Sequence, residues 1–361
     1  MAGAYIPLSN EDVVVSTDSV TSAMWSDNNP TLLNYFTSSA QLASAVAPYY
    51  YTVYQTASTE TTAEIQFDIA YCDEVGSGSV DLNPLVTGVS PTKINYGQYR
   101  NLVLGDENAS FIFGNHTSSI FYVLNLERAR YKQQILPGTW TLMLSGSTAG
   151  TPSQKVSLTD DSLINPVTSF TDAGRVYNII SGSAGVLPVA SNQTDANGWT
   201  IDSGSYGWML PDVNLLILNG DALDATWALG GIALTTLRNS NTADNNPLLM
   251  FNALNLGGEN FPEDPVGDGT GFTLNSQENL SSDFIFCRAR NSEFNYSSNP
   301  SFISSSTGAI IFDSFVTNPT TYITTVGLYN NSQELLATAK LSRPLEKDFT
   351  KELLVRVKLD F

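Results

Sequence analysis

Apolar and polar residues alternate with a period of two over several short stretches, the spacing of strands that cover one face. Ile65, Phe67, Ile69 and Tyr71 alternate with Glu64, Gln66, Asp68 and Ala70, which predicts a half-buried strand. Ile323 to Tyr329 and Leu335 to Leu341 flank the polar connector Asn330, Asn331, Ser332, Gln333, a hairpin signal. Val355, Val357, Leu359 and Phe361 alternate with Arg356, Lys358 and Asp360, predicting a terminal strand with one apolar and one charged face, held by its neighbours. Further strands are expected from Tyr49 to Gln55, Ser119 to Leu126, Thr139 to Ser145 and Phe284 to Arg290.

One stretch follows helical spacing instead. Asn29 reads as an N-cap and Pro30 as the first helical residue, and Leu33, Phe36, Ala40, Ala43 and Ala47 recur on one face as far as Pro48. The spacing predicts a helix over about 30–47, with a smooth face suited to a sheet or to an identical helix of another copy. From Gly146 the texture changes to Ser, Thr, Gly and Asp with scattered apolar runs, and Gly257 to Gly271 is the strongest cluster of breakers. The expected organisation is a helix plus β domain over 1–146, a β- and loop-rich middle block over 147–281 that reads as an insertion or a set of long loops, and a β module over 282–361. The expected fold class is mainly β, with β-sandwich-like modules, one N-terminal helix and long loops.

Composition sharpens this picture. Only 14% of the 361 residues are charged, against roughly 25% in an average soluble protein, so uncharged polar residues carry the surface. The 16 Tyr and 17 Phe suit strands and broad contact surfaces. A net charge of -19 argues against gripping nucleic acid, which needs a basic footprint. The end is the exception, since Lys340, Arg343, Lys347, Lys351, Arg356 and Lys358 outnumber Glu346, Asp348, Glu352 and Asp360. No apolar run reaches the roughly 18 residues of a membrane helix, and Met1 to Asn10 lacks the features of a secretion signal, so synthesis in a cytoplasm and no membrane partner are expected. Cys72 and Cys287 are accordingly read as two buried free thiols.

Candidate chemistry is sparse. His116, the one histidine, falls in the expected turn after Gly114 and Asn115, and no nucleophile elbow accompanies it. No paired spacing of metal ligands is present. The acidic run Glu263, Asp264, Asp268 lacks the pattern of a calcium loop and reads as plain loop. Asp221 with Asp224 near Trp227, and Asp160 with Asp161, are the carboxylate pairs to inspect, with solvated loop acids as the default. Trp199, Trp208 and Trp227 suit a sugar-stacking platform, or else core. The expectation is no enzyme, no cofactor and no metal.

The segment GLYNNSQELLATAK at 327–340, the Pro344 after it and the closing RVKLDF at 356–361 resemble structural proteins from the tails and baseplates of contractile-tailed bacteriophages, including phages of cyanobacteria and marine bacteria. TTAEIQFDIAYCDEVGSGSV at 61–80, INYGQYRNLVLGDE at 94–107 and LERARYKQQILPGTWTLMLSG at 126–146 share that likeness. The resemblance implies a virion protein made in the host bacterial cytoplasm, a repeated assembly subunit of the baseplate wedge or periphery, with no catalytic residues to carry over. Its partners would be other virion proteins and further copies of itself. The residues expected to dock are Leu33, Phe36 and Ala40 on the helix and Val355, Val357, Leu359 and Phe361 on the terminal strand. Alternative readings are a receptor-binding tail fibre or spike that recognises host polysaccharide, a head or neck structural protein, and a polysaccharide-degrading enzyme.

Overall fold

The alternating stretches become strands because each can bury one face against a shared core. The computed structural model describes residues 5–38, 50–76, 91–145, 155–165, 169–186, 204–226, 231–234, 246–258, 271–297 and 299–360. It is mainly β, 47% strand against 16% helical, in large curled antiparallel sheets. In chain order the first strands are β1 (Val13–Ala23), β2 (Thr31–Leu32), β3 (Tyr50–Tyr54), β4 (Ile65–Asp73), β5 (Phe111–Phe113), β6 (His116–Ser118), β7 (Ile120–Leu126) and β8 (Gln134–Ile135). They are followed by β9 (Thr141–Leu144), β10 (Val156–Asp160), β11 (Ser169–Thr171), β12 (Gly174–Ser181), β13 (Gly207–Leu210), β14 (Leu215–Asn219) and β15 (Phe272–Thr273). The last are β16 (Asn275–Ala289), β17 (Thr321–Tyr329), β18 (Leu335–Lys347) and β19 (Leu353–Asp360). The α-helices are α1 (Thr92–Leu104), α2 (Gly220–Ala225), α3 (Asn246–Gly258) and α4 (Asp313–Thr317).

Contacts divide the chain into Val20–Glu278 and a second unit made of Met1–Ser19 with Asn279–Phe361. The larger unit is built on one sheet, in the order β2-β15-β9-β10-β12-β13-β14-β7-β4-β3. Strands on both sides of residue 146 share it, since β9 pairs with β10 and β14 with β7, so the block 147–281 is interleaved with what precedes it. The sheet curls until its ends meet at a single segment. Thr31 and Leu32 pair with β15, while the backbone of Phe36 exchanges hydrogen bonds of 2.9 and 2.8 Å with Tyr54 of β3.

That segment corrects the expected N-terminal helix. Residues 31–36 are claimed by strand pairing, and the first α-helix among the described residues is α1. The signal at Asn29 is real chemistry put to another use, because its Oδ1 accepts the Thr31 N–H at 3.0 Å and turns the chain into β2. Residues 39–47, the rest of the expected helix, lie outside the described residues.

The concave face of the sheet holds the main core. Tyr51, Phe67, Ile69, Tyr122, Leu124, Leu142, Leu158, Leu216 and Phe272 point inward from seven strands, and Met250, Phe251, Ala253 and Leu254 of α3 pack among them. Helix α3 is apolar on nearly every side, as a helix lodged inside a curled sheet must be. Phe251 stacks on Tyr51 with ring centroids 5.9 Å apart, and the Tyr122 hydroxyl donates to the Asn246 carbonyl at 3.0 Å. On the convex face, Tyr96 and Val103 of α1 cover Cys72, Phe121 and Val123, with Phe111 and Phe113 of the β5–β6 hairpin beside them. Strands β4 and β7 are therefore buried on both faces. Helix α1 stops at Gly105, whose left-handed φ of 65° closes the C-terminus through an N–H bond to the Asn101 carbonyl. A side chain there would also run into Asp172.

One surface clamp gives this unit a pH signature. The Arg175 guanidinium grips Asp212 through Nη2 at 2.6 Å and Nε at 3.1 Å, and the Arg175 backbone N–H donates to the same carboxylate at 2.8 Å. Burial pulls the Asp212 carboxyl upward, and the bonds from Arg175 outweigh it, so the group sits below its ordinary 3.8. A carboxyl depressed in the folded state contributes stability that is fully present above the ordinary value and is lost as pH falls through the folded one. Arg175→Met is expected to shift the midpoint of acid unfolding to higher pH, as followed by circular dichroism.

Candidate functional site

Among the described residues, the carboxylates singled out for chemistry each accept a structural hydrogen bond. His116 sits on β6 opposite Phe113. Two residues along, the Ser118 hydroxyl approaches the Ile120 carbonyl at 2.8 Å and Asp221 Oδ2 at 2.6 Å, so the carboxylate meets the serine directly. Asp221 opens α2, whose N-cap is Asn219, and Asp224 Oδ1 accepts the Leu234 N–H at 2.7 Å. Asp160 and Asp161 are neighbours with opposite duties. Asp160 is fully buried, takes the Gly138 and Ser162 N–H groups and is pushed up by that burial. Asp161 accepts the backbone and side-chain N–H of Asn178, both at 2.9 Å.

Trp208 packs on Phe111 and Phe113 in the convex-face core. Trp199, Trp227 and the acidic run at 263–269 lie outside the described residues. Cys72 is a buried free thiol raised by desolvation, and Cys287 is free and half-buried. Among the described residues no cluster of His, Cys, Asp or Glu is placed to hold a metal ion, and no helix is long and apolar enough to cross a membrane.

The second unit has a different character. It is domain-sized at roughly 100 residues, yet Ile285, Ala289 and Val357 are its only buried apolar side chains among the described residues. Its three-stranded path is β1-β16-β19, with β16 and β19 antiparallel from Ser282 opposite Asp360 to Ala289 opposite Leu353. Strand β19 is the edge strand of that path. Val357 is buried opposite Ile285, and Val355 and Leu359 are half-buried on the same face, so this face is partly covered by the chain itself. On the other face Arg356 and Lys358 straddle the Phe284 ring at 5.3 and 5.8 Å. Leu33 and Phe36 are exposed in the larger unit, while Ala40 and Phe361 lie outside the described residues.

The hairpin β17–β18 is a separate two-stranded ribbon. Its turn is held at Asn330, whose side chain takes the Glu334 N–H at 2.8 Å and donates to the Glu334 carboxylate at 2.7 Å, with Gln333 left-handed at φ 64°. Tyr322 is 61% exposed and Leu336 68%, and Tyr329 and Leu335 are open as well. Leu354 at 63% and Phe349 are exposed apolar side chains of the same unit. Two open strand edges beside exposed apolar side chains invite another polypeptide. Alternation along the chain grouped Val355, Val357 and Leu359 correctly on one face. It carried no information on which face the chain itself would cover, so Tyr322, Leu336 and Leu354 were missed.

No protein-family model matches the chain, and no curated protein or solved structure matches it. The ribbon is anchored by an unusual buried cation. Lys347 is fully buried, and its ammonium donates to the Asn291 carbonyl at 3.2 Å, Asn295 Oδ1 at 2.5 Å and the Asp348 carbonyl at 2.8 Å. These three oxygens hold the loop at 291–295 to the end of β18. Next to it, the Thr350 hydroxyl and N–H and the Lys351 ammonium hold the Asp348 carboxyl down at about 2. Lys347→Met keeps the aliphatic stem but leaves buried acceptors unpaired, an expected loss of about 1–3 kcal/mol. Limited proteolysis is expected to cut first within 291–295 in that variant.

Proposed function

We propose that this chain is a structural subunit of the contractile tail of a bacteriophage, placed in the wedge or periphery of its baseplate, and that it works by assembly. The observation that carries this reading is the second unit, which has the size of a domain, almost no core of its own and long strands with apolar side chains facing water. A unit of that size ordinarily closes its own hydrophobic core. One that leaves Tyr322, Leu336, Phe349 and Leu354 open gains its burial from neighbouring polypeptides, as interfaces rich in aromatic and aliphatic anchors do. Two of the five stretches that carry the resemblance, 327–340 and 356–361, lie in this unit, and the other three lie in the larger one.

The deciding measurement is binding of the purified chain to other tail proteins, by size-exclusion chromatography and by cross-linking from Lys340 and Lys351. The unaltered chain is expected to enter complexes, and Leu336→Glu with Leu354→Glu to abolish them while circular dichroism stays unchanged. A chain that remains monomeric and binds no tail protein removes the reading.

A further inference from the structure

The larger unit carries one feature that neither its core nor the ribbon uses. Where β7 ends, Arg128, Arg130 and Lys132 fall within five residues and line a cleft of about 360 Å³ together with Tyr131, Ser22 and Asn28. Three cations at one concave place stand out on a chain with net charge -19. Arg128 and Lys132 are exposed, and the Arg128 guanidinium is held by the Tyr131 carbonyl at 2.7 Å. Arg130 is mostly covered, with its Nη1 bonded to Glu64 Oε2 at 2.5 Å, while its Nε–H is shut off from water with no acceptor among the described residues. That Nε–H is closed to water and therefore to a ligand, so the cations a bound anion meets first are the exposed Arg128 and Lys132.

We infer that this cleft binds an acidic peptide segment of another polypeptide, through carboxylates placed against Arg128, Arg130 and Lys132. Glu64 already shows the chemistry, a carboxylate seated on Arg130 with its own side chain half in water. Planar carboxylates match the guanidinium fork in two-point bonds. The cleft's one aromatic ring speaks against a sugar or a nucleic acid, because the Arg128 guanidinium lies over Tyr131 at 4.8 Å and occupies the face on which a pyranose or a base would stack. The cleft lies within the larger unit and would bind whether or not the ribbon docks elsewhere.

The test is fluorescence anisotropy with a labelled oligo-glutamate peptide, with oligo-glutamine, inorganic phosphate and polygalacturonate as the comparison arms. The chain is expected to bind oligo-glutamate, more weakly as salt rises, and to ignore oligo-glutamine. Arg128→Gln with Lys132→Gln is expected to weaken binding roughly tenfold or more, whereas Glu64→Gln, which frees Arg130, is expected to tighten it. Arg100→Gln, a change at an arginine paired with Glu74 away from the cleft, is expected to leave binding unchanged. No binding of oligo-glutamate overturns the inference. So does equal loss from Arg100→Gln, or tighter binding of phosphate or polygalacturonate than of the peptide.

Discussion

Replacing Phe272 by alanine is expected to lower the stability of the larger unit by about 3–5 kcal/mol, the range for truncating a fully buried aromatic side chain. Phe272 has no exposed surface, and its ring meets Trp25 at 4.8 Å, Phe67 at 5.7 Å and Trp140 at 6.4 Å between centroids. Its carbonyl also accepts the Trp25 indole N–H at 2.7 Å. The residue sits on β15, a strand only two residues long that joins β2 to β9. A cavity here strikes the place where the curl closes, and three rigid rings cannot collapse into it easily. Phe272→Leu keeps most of the volume and is expected to cost less than about 1.5 kcal/mol. Urea unfolding followed by tryptophan fluorescence reads both. A loss of under 1 kcal/mol for the alanine variant would mean that the ring cluster does not hold the seam.

Hydrogen exchange of the full chain should separate the two units by a wide margin. Amides of β4 and β7 lie between two cores and are expected to exchange only through global unfolding. Those of β17 and β18 belong to a ribbon with few buried side chains and are expected to exchange roughly a thousandfold faster or more, since local opening there costs a small part of the global free energy. In a complex with a docking partner the ribbon amides are expected to slow sharply while those of β7 stay unchanged. Equal protection of both units in the isolated chain would show that the ribbon needs no partner to be stable, and the assembly reading would lose its support.

The candidate surface was partly legible in advance. The hairpin and its polar connector at Asn330 to Gln333 stand where the residues placed them, because a turn and its flanking strands are set by neighbours in the chain. Cys72 likewise lay in an apolar run and is buried. Helix α1 was overlooked within INYGQYRNLVLG, although Tyr96, Tyr99 and Val103 follow helical spacing and Gly105 supplies the stop. Helix α3 gives no distinctive signal, since a short stretch that is apolar on every side looks the same as a strand or as a helix.

By itself the order of residues determined several of the strands, which of their side chains share a face, the hairpin and the mainly β class, because a period of two is a property of the local backbone. It also determined that charge is scarce and that cations gather in the terminal module. Only the tertiary structure decided that residues 31–36 join two ends of one sheet instead of forming a helix, that α3 fills the curl, and that the second unit leaves its apolar side chains open. Each of these depends on pairings between residues far apart in the chain, where burial shared by many strands outweighs the small preference of any one segment for its own local form.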